Sequence, residues 1–200
     1  MPPILYLFAL TNLVIGTGAF VLSGVIKLMA DGLDVSVAAA GQAMTVYAFA
    51  SALLAPLLMV GTGKLTRKRA LQVALLLYSL GSLLCTLAPN LPTLLAGRVM
   101  MGTGAMFTPL AAGLTVTMVP PEMRARALAL SFLGIGMSYA IGLPLGTWLG
   151  FNFGWRAPLW LVTGCSVLAL TAATALLPAK INAPGASFAG LSSLLRHAQV

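Results

Sequence analysis

The sequence predicts an all-α membrane protein that crosses the bilayer six times, and three observations predict it. Six apolar runs follow one another with short polar breaks between them, and each is long enough for a span, which needs roughly 20 residues. The composition is 60% apolar and 7% charged with a mean hydropathy of +1.01, too little polar surface to clothe a water-soluble globule. The basic residues gather at alternate breaks, as they do where one set of loops stays in the cytoplasm. No backbone amide can stay unpaired in lipid, and no run alternates as a barrel strand does, which leaves helices.

The runs cover residues 4–30, 37–60, 70–88, 93–118, 127–150 and 157–177. The first follows Met1-Pro2-Pro3, lacks a basic leader and is too long for a cleaved signal peptide, so it reads as a first span. The second follows the break holding Asp31 and Asp34, and Pro56 lies near its end. The third follows the basic break Gly63, Lys64, Arg67, Lys68 and Arg69. The fourth follows Pro89-Asn90-Leu91-Pro92 and contains Arg98. The fifth follows the break with Arg124 and Arg126, and carries Gly or Ser at every fourth position from Gly134 to Gly154. The sixth follows Gly154-Trp155-Arg156, and residues 178–200 turn polar.

The formal charge of +8 is sorted by loop and not clustered on a soluble module, so no nucleic-acid partner is expected. Lys64, Arg67, Lys68, Arg69, Arg124, Arg126, Lys180 and Arg196 fall on one side of the membrane. Lys27 and Arg156 are the basic residues near the other side. The asymmetry places both termini in the cytoplasm of a cell whose inner membrane holds the protein. Cys85 and Cys165 lie inside apolar runs and read as small hydrophobes. The carboxylate and histidine partners that a metal site wants are missing, and no cofactor is expected.

Ala55-Pro56-Leu57 near the end of the second run matches Leu143-Pro144-Leu145 near the end of the fifth. Each is followed by a Gly-containing turn, then Arg, then the next run. Runs one to three therefore echo runs four to six. Because three is odd, the second triplet enters from the opposite side, which makes a 3+3 inverted repeat of the kind secondary transporters use.

The fourth run reads Arg98-Val99-Met100-Met101-Gly102-Thr103-Gly104, and the next break is short and Pro- and Arg-containing. The fifth reads Gly142-Leu143-Pro144-Leu145-Gly146-Thr147-Trp148-Leu149-Gly150, then Gly154-Trp155-Arg156. These segments resemble the major facilitator superfamily, in particular its drug- and metabolite-efflux branch with sugar-efflux members. The resemblance runs from about Thr11 to about Leu177. It implies half of a twelve-helix fold, a lipid bilayer around it, a C-terminal six-helix half as partner, a small-molecule substrate with protons as co-substrate, and a role for Arg98 in coupling. The 178–200 segment, with Phe188, Leu191, Leu194 and Leu195 at helical spacing beside Arg196, is similar to the central cytoplasmic linker of that family. Two departures stand out. Ala19 occupies the place just before Phe20 where members often carry an acid, and the basic loop lacks its usual Asp.

Arg98 lies about 9 Å below the outer helix end at 1.5 Å per residue. It either faces a cavity and partners or snorkels to the interface. Asn12, Thr17, Gln42, Thr45, Tyr47, Thr108 and Tyr139 are candidates to line a cavity. The small residues around Pro144, namely Gly142, Gly146 and Gly150, form a contact seam that either seals the two halves or packs one of them. A four-residue step drifts by about 40° on a 3.6-residue helix, so the seam is expected to wind away from a single partner. The basic loop at Gly63, Lys64, Arg67, Lys68 and Arg69 either latches a gate or fixes topology against anionic lipid.

No Ser with His, Asp pair or His-Glu-x-x-His site lies in the spans, which argues against an intramembrane enzyme. The resemblance therefore implies a proton-coupled efflux transporter present as its N-terminal half. A uniporter or importer of the same fold, or a non-transporting scaffold, is the alternative.

Overall fold

The computed structural model describes residues 2–177. Every regular element among them is helical, and six are long and apolar enough to cross a membrane: α1 (Ile4–Gly32), α2 (Val37–Gly61), α3 (Arg67–Leu87), α4 (Leu91–Thr117), α5 (Pro121–Phe153) and α6 (Ala157–Leu176). The 178–200 linker segment lies outside the described residues.

Local chemistry accounts for the helix ends. Ser36 Oγ accepts the Ala39 amide at 3.1 Å before α2, and Asn90 Oδ1 accepts the Thr93 amide at 3.0 Å before α4, each satisfying an orphan N–H. Gly154 ends α5 at a φ of +88°, where a side chain is strained. Arg67, Lys68 and Arg69, which the sequence places in a break, form the first turn of α3. Cations there oppose the helix dipole by ~0.3–1 kcal/mol. Moving them deeper into lipid costs more.

Four spans are interrupted near mid-length, and the interruptions repeat. α1 passes into a 3₁₀ turn at Val21–Val25, α4 breaks between Gly104 and Phe107, and α2 and α5 widen into π segments at Ala50–Leu54 and Ser138–Gly142. α3 and α6 run unbroken. Each triplet thus has a broken first helix, a widened second helix and a straight third. The π segments lie 88 residues apart (50 to 138), as do the prolines behind them (56 to 144). Proline has no N–H for the carbonyl four residues back, and its ring crowds that carbonyl. For Pro56 and Pro144 it belongs to Ala52 and Ala140, inside the π segments. Pro109 acts likewise on Ala105, where α4 breaks.

Packing follows the same pairing. α1 lies on α5 as α4 lies on α2, α3 touches α4 as α6 touches α1, and α3 pairs with α6. Exchanging the triplets leaves this pattern unchanged. Gly102 of α4 abuts Ala50 at the start of one π segment, and Gly16 of α1 abuts Ser138 at the start of the other. The ends of the straight helices are tied reciprocally. Lys68 Nζ donates to the Leu177 carbonyl beyond α6 at 2.7 Å, and Arg156 donates to the Ala88 carbonyl beyond α3 at 2.8 Å. Each cation meets the carbonyl end of the other triplet's third helix, where the dipole favours it. The 3+3 repeat is therefore written in the backbone interruptions and in these end contacts.

The small-residue row of α5 stays on α1. Gly134 meets the backbone of Ala9 and Leu13, Gly142 meets Thr17, Gly146 meets Val21 and Gly150 meets Val25. The expected drift does not carry the row away from α1. In the π segment each residue winds the helix less, which offsets one step of that drift. Gly142, Gly146 and Gly150 thus pack against a helix of their own bundle, whereas Pro144 is exposed.

Candidate functional site

Two of the four interruptions, the π segment of α2 and the break of α4, border one open hollow of about 420 Å³, and α1 joins its wall just ahead of its own 3₁₀ turn. Gly16 and Phe20 of α1, Tyr47, Ser51 and Pro56 of α2, Met106, Thr108 and Pro109 of α4, and Ile135 of α5 border it. α3 and α6 take no part in its wall. Irregular backbone at membrane depth is tolerated only where protein buries it or it borders a cavity. Discontinuous helices around a midplane site are how secondary transporters build their binding sites. Among the described residues no charged side chain borders the hollow, and its wall is mostly apolar.

Arg98 lies behind this wall and is fully buried. Its Nη1 donates to the Gly18 carbonyl at 2.7 Å, its Nη2 reaches Met44 Sδ at 3.7 Å, and its guanidinium carbon stands 5.5 Å from the centre of the Tyr47 ring. Nε has no partner among the described residues. The side chain points inward, not to the interface as a snorkelling Arg would. It grips α1 three residues before the 3₁₀ turn begins at Val21. The three acids of the sequence, Asp31, Asp34 and Glu122, all sit at helix ends or in breaks. Burial of an unpaired cation costs several kcal/mol, of which the carbonyl and the aromatic face offset a part.

A polar tie joins α1, α4 and α5 beside the hollow. Asn12 Nδ2 donates to the Ser131 carbonyl at 2.8 Å, Thr108 Oγ1 donates to Asn12 Oδ1 at 2.8 Å, and, with the Thr115 hydroxyl donating to the Ala111 carbonyl, the Ser131 hydroxyl donates to Thr115 Oγ1 at 3.0 Å.

Of the polar residues the sequence nominates, Tyr47 and Thr108 border the hollow. Asn12 is buried and braces Thr108. Thr17 is buried against Gly142 and borders a smaller hollow of about 160 Å³ between α1, α5 and α6. Gln42 and Thr45 are exposed on α2, outside the hollow. Tyr139 is exposed and stacks on Phe20, with ring centres 4.9 Å apart. Of the basic loop, Lys64 and Arg69 are exposed, Gly63 and Arg67 are half-buried, and Lys68 caps α6. Sequence reasoning misses Phe20, Ser51, Met106 and Ser131. Pro56 and Pro109 are the signals that could have found the site, since each marks an interruption beside it.

The Major Facilitator Superfamily profile matches residues 8–196. An uncharacterized MFS-type transporter, YtbD of Bacillus subtilis (strain 168), is 29% identical over 181 residues, which is 90% of this chain and 46% of that protein. A probable sugar efflux transporter of Mannheimia succiniciproducens is 31% identical over 171 residues, 85% of this chain and 43% of that protein. The crystal structure of a D-xylose-proton symporter matches with a TM-score of 0.68 at 18% identity, covering 98% of this chain and 51% of that one, a likeness of fold alone. The chain thus spans about half the length of the curated relatives it matches. With six apolar spans, a hollow at their interruptions and the family match over most of its length, the chain belongs to the Major Facilitator Superfamily, a family of membrane transporters and not of enzymes.

Proposed function

We propose that this chain is the N-terminal half of a transporter that exports a small drug-like molecule or metabolite in exchange for protons by alternating access. The observation that carries the proposal is the hollow bordered by the interruptions of α2 and α4, on the face that α1, α2, α4 and α5 build. A second six-helix half packs against that face, and the two rock about the hollow in the inner membrane with both termini cytoplasmic. The name of the Mannheimia relative supports the outward direction.

No carboxylate borders the hollow, so the proton-binding acid in this scheme comes from the second half. Arg98 couples through the Gly18 carbonyl, whose position follows the 3₁₀ turn of α1. A uniporter of the same fold is the second reading, and the observation that favours it is Ala19, bordering the hollow just before Phe20. Counterflow of a radiolabelled pentose and a radiolabelled aromatic antibiotic, with the full-length protein in proteoliposomes, separates the two. The proposal expects one of them to accumulate against its gradient when a pH gradient is imposed. Equilibration that ignores the gradient supports the uniporter, and no flux of either kind contradicts both.

A further inference from the structure

The wall of the hollow carries hydroxyl oxygens whose protons are already committed. Asn12 Nδ2 donates to the Ser131 carbonyl, which can only accept, and this bond sets the orientation of the amide. Asn12 Oδ1 must then face Thr108, so the Thr108 hydroxyl donates to it and keeps its lone pairs for the hollow it borders. Ser51, on α2, donates to the Ala48 carbonyl at 3.1 Å and likewise offers an acceptor. Around these two oxygens the wall is apolar except for the Tyr47 hydroxyl, the one lining hydroxyl without a hydrogen-bond partner among the described residues. Arg98 is the nearby cation, and Tyr47, which borders the hollow, lies over it.

From this geometry we infer that the hollow takes an uncharged, largely apolar molecule with one or two O–H or N–H donors, which Thr108 and Ser51 accept. The inference rests on the transport reading and adds the substrate class to it. A carboxylate is disfavoured because on this wall it would lose its water for at most the single Tyr47 hydroxyl, the Arg98 guanidinium being turned to Gly18. An ether in place of the hydroxyls is disfavoured because acceptors then face each other and the lone pairs of the two half-buried wall oxygens meet no donor.

The test measures binding to the full-length protein in nanodiscs, with empty nanodiscs subtracted, by naphthalene fluorescence. The probes are 3-(1-naphthyloxy)propane-1,2-diol, its dimethyl ether and (1-naphthyloxy)acetate. The diol is expected to bind about tenfold more tightly than the ether or the acetate. Thr108→Val is expected to abolish most of that preference while leaving the ether unchanged. Equal or tighter binding of the acetate or the ether, or a Thr108→Val effect that is the same for all probes, overturns the donor rule while the hollow remains a ligand site. No binding by any probe overturns the inference too. The transport reading then stands or falls by counterflow, which does not depend on these probes.

Discussion

Replacing Arg98 with Met leaves the bundle as stable as the parent or more so, while transport driven by a pH gradient falls at least a hundredfold. The two halves of this expectation come from one geometry. Arg98 is fully buried with no carboxylate beside it, and its Nε lacks a partner among the described residues. An apolar side chain of similar volume removes that desolvation, and replacements of buried charge of this kind are neutral or stabilising by about 1–4 kcal/mol. The loss is positional, because the Gly18 carbonyl is released at the edge of the 3₁₀ turn of α1, and with it the link between α4 and the broken part of α1.

Arg98→Lys is the informative contrast. It keeps the charge but not the planar fork that donates to Gly18 while lying over Tyr47. It is expected to lose both stability and transport. Thermal unfolding in detergent and gradient-driven uptake check both variants. If Arg98→Met unfolds the protein, or transports at the parental rate, Arg98 is not the coupling residue described above.

Gly134→Leu is expected to lower the yield of folded protein more than tenfold. The position where a Cβ would stand at Gly134 collides with the backbone carbonyl of Ala9, and the Leu13 amide lies 2.7 Å away. Neither can swing aside as a side chain does, so α1 and α5 must separate. Overpacking a dense interior costs about 1–3 kcal/mol, and a forced helix shift lies at the upper end or beyond. A cost of about 1.4 kcal/mol already changes the folded ratio tenfold. Gly136→Leu, two residues along the same helix, is the control, since among the described residues nothing lies within 4 Å of its Cβ position. That change is expected to leave the monodisperse peak in size-exclusion chromatography intact.

The spans are legible in the sequence because lipid demands apolar runs, and little else can make six of them in 200 residues. Their ends are less legible. Arg67 to Arg69 look like loop by charge, yet they form the first turn of α3, since an exposed helix end tolerates cations at small cost. The repeat is visible in Pro56 and Pro144, whereas the matching breaks in α1 and α4 leave no shared motif and emerge only from the backbone.

The hollow is the least legible part, for a physical reason. Candidates for its wall are chosen by polarity, but the wall is mostly apolar, so Gln42 and Thr45 are nominated by type and prove to lie elsewhere on α2. Ser51 is overlooked as an ordinary helical serine. The direction of Arg98 is undetermined from depth alone. The Gly18 carbonyl decides it, and no spacing rule places Gly18 beside Arg98 across 80 residues of chain.

Alternating exposure of the hollow is most directly measured with Thr108→Cys in full-length protein whose Cys85 and Cys165 are replaced, reconstituted in sealed vesicles of known orientation. A membrane-impermeant maleimide is added to one side or the other while the pH gradient is reversed. The account predicts that the cysteine reacts from one side under one gradient and from the opposite side under the other. Reaction from a single side under every condition, or from neither, would contradict it.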